Sequence, residues 1–122
     1  METDPLATAL ILDICKESAN NCIILGGDLH DAWAWQLYEG GEIDGTPVAI
    51  NLGTSGVSSP GWEGFMQPIF APIADLIGGP AVVNELVNAG FEAVNPGLVY
   101  GATGRRGFYV VTATKEKADI GY

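Results

Sequence analysis

Glycine and proline recur along the whole of this chain, with 17 glycines and seven prolines among its 122 residues. Both residues interrupt regular structure, because glycine gives the backbone extra freedom and proline removes an amide donor. The chain is therefore expected to fold as short elements joined by many turns, without long helices. Hydrophobic residues make up 48% and charged residues 16%, which is typical of one globular domain and not of a disordered segment.

The net charge of −10 is a second constraint, and it comes from 15 acidic and five basic residues. A surface of this sign repels a phosphate backbone, so nucleic-acid binding is not expected. The acidity suits a protein that holds metal cations, although a solubilising surface is the simpler interpretation. No run reaches the roughly 18 apolar residues of a membrane span. The first residues also lack the basic region of a signal peptide.

The first third of the chain predicts a helix followed by a buried strand. Thr3, Asp4 and Pro5 form a helix start, and apolar residues follow at helical spacing on one face: Leu6, Leu10, Ile11, Ile14 and Cys15. The all-apolar run 22–25 then predicts a buried strand. Cys15 and Cys22 do not form a C-x-x-C pair, so they are interpreted as small core residues and leave the redox compartment undetermined.

Alternating residues after this strand predict a hairpin. Residues 31–38 place Trp33, Trp35 and Leu37 on one face, a glycine-rich turn follows, and residues 48–52 are again strand-like. A helix over residues 31–38 is the alternative, because tryptophan and alanine tolerate both states.

The second half predicts helices and then strands. Residues 65–77 are weakly helical with interruptions at Pro68 and Pro72, and a clear helix begins at Pro80. Residues 98–100 and 107–114 predict strands joined by a turn at 102–106, and the tail from residue 118 resumes a strand pattern. The fold class is therefore α/β, in the broader sense of α+β.

Asp28 and His30 are the candidate metal ligands. They follow the strand 22–25 and two glycines, and His30 is the one histidine in the sequence. In extended backbone, residues two apart project to the same side, so a carboxylate and an imidazole would converge on one point. This ligand mixture suits iron, zinc or manganese. The alternative is a turn aspartate beside a histidine bonded to backbone.

The surrounding sequence resembles the C-terminal half of PhoD-like metallophosphatases, the alkaline phosphatase D family. The run CIILGGDLHDAWAWQL is similar to that family's Gly-Asp-Val-His-Ser-Ser-Trp signature, and INLGTSGVSSPGWEGF is similar to its Thr-x-Ser-x-x-Ser-Pro-Gly loop. Asn95-Pro96 and Arg106-Gly107-Phe108 match a third landmark in the same order. The resemblance covers about residues 6–111.

This resemblance implies part of a calcineurin-like metallophosphoesterase β-sandwich flanked by helices. Residues 1–122 would be the C-terminal portion of the catalytic domain, without its N-terminal half. Asp28 would ligate one metal and His30 the other, with iron and calcium as the metals, or zinc or manganese. The substrate would be a small phosphoester, hydrolysed as by an alkaline phosphatase or phosphodiesterase, and the location periplasmic or extracellular. The fragment alone would bind metal poorly and be inactive.

Two alternatives stay open. The chain could be a metal-free structural or binding domain derived from the same fold, or an unrelated α/β interaction module in which Asp28 and His30 are incidental. Other polar residues are expected to serve structure before function: Asp31 as a solvent-facing turn residue, Ser55, Ser58 and Ser59 in a loop, Asn95 at a strand entry, and Arg105 and Arg106 in an exposed turn. Trp33, Trp35 and Trp62 are expected to pack in the core or at its rim.

Overall fold

The described residues fold as three α-helices, one short 3-10 helix at Glu39–Gly41 and two β-sheets. The computed structural model describes residues 4–18, 21–41, 43 and 45–121. The elements, in chain order, are α1 (Pro5–Ser18), β1 (Cys22–Gly26), β2 (Ala32–Tyr38), β3 (Pro47–Gly53), α2 (Trp62–Ile77), α3 (Pro80–Val94), β4 (Leu98–Ala102), β5 (Val110–Ala113) and β6 (Ala118–Gly121). This mixed arrangement confirms the α+β fold class in its coarse form.

The main sheet has the strand order β1-β3-β2-β4. β2 and β3 pair antiparallel, which confirms the predicted hairpin and excludes the helix over residues 31–38. β1 pairs with β3 in parallel, so the later strand β3 lies between β1 and β2. β4 adds to the other side of β2 in antiparallel orientation. The carboxyl end of β1 therefore lies beside the end of β3 and the start of β2.

One face of the main sheet is covered by α1 and α3. The register places Cys22, Ala49 and Trp33 on this face. A disulfide joins Cys22 to Cys15 of α1, so the expectation of two separate core thiols is wrong. On the α3 side, Trp33 packs edge-on against Phe91 with ring centroids 5.3 Å apart.

The other face of the sheet is only partly covered within the described chain, and one face of α1 is exposed there. Ile23, Leu25 and Ile50 are partly exposed apolar residues on that sheet face. On α1, Cys15 and Leu12 are buried, but Leu6 is 81% and Leu10 61% exposed. Of the apolar face expected from the sequence only Cys15 is buried, because α1 packs through the neighbouring side of the helix, which carries Leu12 and Cys15.

The start of α1 and the continuity of α2 are explained by residues close together in the chain. The Asp4 carboxylate accepts the Leu6 amide at 3.0 Å, which confirms the predicted cap of α1. α2 continues through Pro68 and Pro72, so the predicted interruption is wrong. The two prolines are four residues apart, and Gly64 and Pro68, whose carbonyls lose their partners, are exposed to water.

The last strands form a separate sheet. β5 pairs with β6, and not with β4 across the predicted turn at 102–106. The end of β4 is instead tied to α3, where the buried Thr103 donates its hydroxyl to Asn88 at 2.8 Å. No single helix in the described ranges has the length and hydropathy of a membrane span; α2 and α3 reach them only as a pair, bent by 114°.

Candidate active site

The loop after β1 carries the two predicted metal ligands in an unusual backbone conformation. Asp28 and His30 both have positive φ, 62° and 63°, and both side chains are exposed. Aspartate and histidine are among the residues that tolerate this left-handed region. The assumption of extended backbone is therefore wrong at both positions, so same-side projection does not follow from their spacing. Strained backbone of this kind concentrates at functional sites.

His30 is oriented by one backbone hydrogen bond. Its Nδ1 lies 2.8 Å from the carbonyl oxygen of Pro60, in the loop before α2. A carbonyl oxygen only accepts hydrogen bonds, so Nδ1 carries the proton and donates it. In the neutral imidazole the lone pair is then on Nε2, which leaves that nitrogen available to a metal or a proton donor.

Asp31 is buried, which corrects the expectation of a solvent-facing turn residue. Its side chain is 1% exposed, and its two carboxylate oxygens lie 3.2 and 3.1 Å from the Trp62 amide nitrogen. Trp62 is the first residue of α2, whose free amides and dipole favour an acceptor. The two partners are 31 residues apart in the chain, so no local pattern indicates this contact.

Glu63 and Arg106 extend this polar cluster. Glu63 pairs with Arg106 through Oε1, while its Oε2 is buried and has no hydrogen-bond partner among the residues the structure describes. A Cβ on Gly61 would overlap the Asp31 carboxylate and lie 2.7 Å from Glu63 Oε2, so both carboxylates converge beside Gly61. Arg106 is thus a partly buried partner of Glu63 and not a residue of an exposed turn.

The environment raises the pKa of Asp31 above its ordinary value. Burial is the largest cause, and the nearby Glu63 carboxylate acts in the same direction. The Trp62 amide, Arg106 and His30 oppose this shift without cancelling it. The folded protein therefore holds the Asp31 proton more tightly than the unfolded chain does.

A cavity of about 470 Å³ opens beside His30. Its polar wall contains His30 and Asp31, and the rest of the wall is formed mainly by apolar or aromatic side chains: Leu29, Pro60, Trp62, Phe65, Met66 and Ile69. Among the described residues, Asp28 is not part of this wall. The structure thus brings His30 and Asp31 to one cavity and leaves Asp28 exposed outside its wall.

The remaining candidate residues from the sequence lie in the core, at the cavity rim, in a loop or at the end of a helix. Trp33 is buried, Trp35 is half-buried and Trp62 lies at the cavity rim, which confirms their packing roles. Ser55 is buried, whereas Ser58 is exposed. Asn95 ends α3 just before β4 and donates its side-chain amide to the Phe91 carbonyl at 2.8 Å.

The donor set for a metal is partial. Within the described ranges, no group of three or more His, Cys, Asp or Glu side chains is arranged to hold a metal ion. His30 fits a ligand role, because metal-binding histidines commonly donate their other ring N–H to a backbone carbonyl. The exposed Asp28 carboxylate, two residues before it, is a second available donor.

Comparison with known proteins leaves the family open. Neither models of protein families, nor curated proteins, nor solved structures match this chain.

Proposed function

We propose that this chain contributes Asp28 and His30 to metal-dependent phosphoester hydrolysis, as the C-terminal portion of a longer PhoD-like enzyme. The observation that carries the proposal is the 2.8 Å hydrogen bond from His30 Nδ1 to the Pro60 carbonyl. It selects the tautomer in which Nε2 is an unprotonated donor atom, which is the form that binds metals.

Asp28, two residues before His30, supplies an exposed carboxylate as a harder oxygen donor. A carboxylate suits calcium or iron, and a carboxylate with an imidazole also suits zinc or manganese. A bound metal pair would supply Lewis acidity and a water of lowered pKa. This chain supplies two ligands, Asp28 and His30, after the end of β1, and other residues complete the metal coordination.

Two further features support a larger enzyme in an oxidising compartment. The exposed apolar residues of β1, β3 and α1 suit contact with more protein, as in a β-sandwich whose second layer is supplied elsewhere. The disulfide between Cys15 and Cys22 suits a periplasmic or extracellular location.

Paramagnetic Mn²⁺ tests the metal ligands directly on the 122-residue chain. Weak binding at Asp28 and His30 should broaden the NMR signals of the loop 27–31 before those of other acidic regions. The double variant Asp28→Asn, His30→Gln should remove this local broadening. The matched control is Asp119→Asn, an exposed carboxylate of β6 that should leave the broadening unchanged.

Broadening that spreads over the acidic surface, or that survives in the double variant, would contradict the proposed ligands. In the longer enzyme, His30→Ala should abolish turnover and reduce metal content, and unchanged values of both would refute the assignment. The isolated chain should not hydrolyse p-nitrophenyl phosphate. Robust hydrolysis sensitive to EDTA would show that the donor set is complete without further protein.

The apolar surface of α1 favours a second candidate, a metal-free structural or binding domain. Leu6, Leu10 and Ile14 form an exposed row along α1, which a partner surface could cover. In that case the Mn²⁺ experiment would show no preference for the loop 27–31.

A further inference from the structure

His30 and Asp31, the last two residues of the β1–β2 loop, each form a hydrogen bond with the segment that leads into α2. His30 donates from Nδ1 to the Pro60 carbonyl at 2.8 Å. In the opposite direction, the Trp62 amide donates to the Asp31 carboxylate at 3.1 and 3.2 Å. Gly61 is the single residue between the two bonded peptide groups, so we call these two contacts and Gly61 the loop clasp.

The clasp couples the position of the Pro60 carbonyl to Asp31. The peptide group of Trp62 is fixed by a carboxylate that is 1% exposed and therefore has little room to move. Only the φ and ψ angles of Gly61 separate that peptide group from the Pro60 carbonyl. Because glycine turns more freely than any other residue, the carbonyl can rotate away from His30 once Asp31 no longer holds Trp62.

Gly61 also shows how closely the clasp is packed. A Cβ at this position would overlap the Asp31 carboxylate, while Gly61 itself has φ −95° and ψ −159°, which any residue can adopt. The need for glycine is therefore steric. It is the space taken by the Asp31 carboxylate that excludes a side chain.

From this geometry we propose that Asp31 is a positioning residue that sets the proton of His30. By holding the Trp62 amide, it keeps the Pro60 carbonyl at His30 Nδ1, and this carbonyl keeps the proton on Nδ1 and the lone pair on Nε2. The role of that lone pair in metal binding rests on the proposed function. The effect on the tautomer does not.

The His30 tautomer can be measured directly by ¹⁵N NMR on the 122-residue chain. The sequence has one histidine, so its ring signals need no separation from others. At a pH well above the ordinary imidazole pKa of about 6.5, the wild-type chain should show the proton mainly on Nδ1. Asp31→Ala should shift the tautomer ratio toward Nε2–H by about five-fold, the equilibrium equivalent of one hydrogen bond between neutral groups.

Two more variants separate positioning from a loss of folding. Gly61→Ala leaves the carboxylate in the sequence but displaces it, so it should shift the ratio in the same direction. Asp31→Asn keeps an acceptor oxygen for the Trp62 amide and should keep most of the Nδ1–H form. Asp75→Ala removes an exposed carboxylate elsewhere on α2 and should have no effect. If Asp31→Ala does not fold, the other two clasp variants decide the question.

A wild-type chain with the proton mainly on Nε2 would overturn the inference, as would folded Asp31→Ala or Gly61→Ala chains with an unchanged ratio. A shifted tautomer ratio in these variants, together with Mn²⁺ broadening that shows no preference for the loop 27–31, would support the inference and refute the proposed function. An unchanged ratio, together with Mn²⁺ broadening confined to that loop, would refute the inference and support the proposed function.

Discussion

Gly61→Ala is the substitution on which the packing of the site can be tested most sharply. The backbone at Gly61 is extended, with φ −95° and ψ −159°, so alanine meets no conformational strain there. With open space around it, such a change stabilises a protein by about 0.4–1 kcal/mol, because it restricts the unfolded chain. Here the new Cβ would overlap the Asp31 carboxylate, so the sign should be reversed.

The expected magnitude follows from the bond that is lost. Displacing Asp31 removes its hydrogen bond with the Trp62 amide, and a hydrogen bond to a charged group contributes about 1.5–3 kcal/mol. After the gain from the restricted unfolded chain, the net loss in unfolding free energy is about 0.5–2.6 kcal/mol. With an unfolding entropy of about 2.1 cal/mol/K per residue, this loss lowers the Tm by roughly 2–10 °C.

Thermal unfolding followed by circular dichroism measures this change. The matched control is Gly107→Ala, a loop glycine without positive φ around which a Cβ would meet nothing within 4 Å. The control should unfold at the wild-type temperature or slightly above it. A Gly61→Ala chain at least as stable as the control would refute the close packing of Asp31 against Gly61.

Three other predictions concern the core, the disulfide and the pH dependence. Val83 is 2% exposed, so Val83→Ala should lower the unfolding free energy measured in urea by about 1.5–3 kcal/mol. The matched change at an exposed position, Val94→Ala, should alter it by less than about 0.5 kcal/mol. Equal effects of the two substitutions would contradict the burial of Val83. The denatured, unreduced chain should show no thiol that reacts with Ellman's reagent, and reduction should release Cys15 and Cys22; free thiols before reduction would exclude the disulfide. Because the folded state raises the pKa of Asp31, this group favours the fold most below its ordinary value of 3.8 and loses that contribution as the pH rises through the folded value. Asp31→Asn does not titrate, so the unfolding free energy of the variant minus that of the wild type should increase from acid to neutral pH, and a decrease would refute the direction of the shift.

Some features of the candidate site can be predicted from neighbouring residues, whereas others depend on residues distant in the chain. Asp28 and His30 could be selected from the sequence, because a carboxylate and the one histidine follow an apolar strand and two glycines. Their positive φ angles could not, since a strand pattern continued past its end predicts extended backbone. The burial of Asp31 could not be predicted either, because its partner Trp62 lies 31 residues further along the chain.

Neighbouring residues in the chain are enough to predict the local elements: the cap of α1 at Asp4, the start of α3 at Pro80 and the alternating strand at residues 32–38. Each depends on side chains a few residues apart, whose spacing and hydrogen-bonding groups are visible in the chain. Three features became visible only in the folded chain: the position of β3 between β1 and β2, the buried side of α1, and the carboxylate that binds the first amide of α2. These features depend on which distant surfaces exclude water together, and that choice is made by the packing of the whole chain.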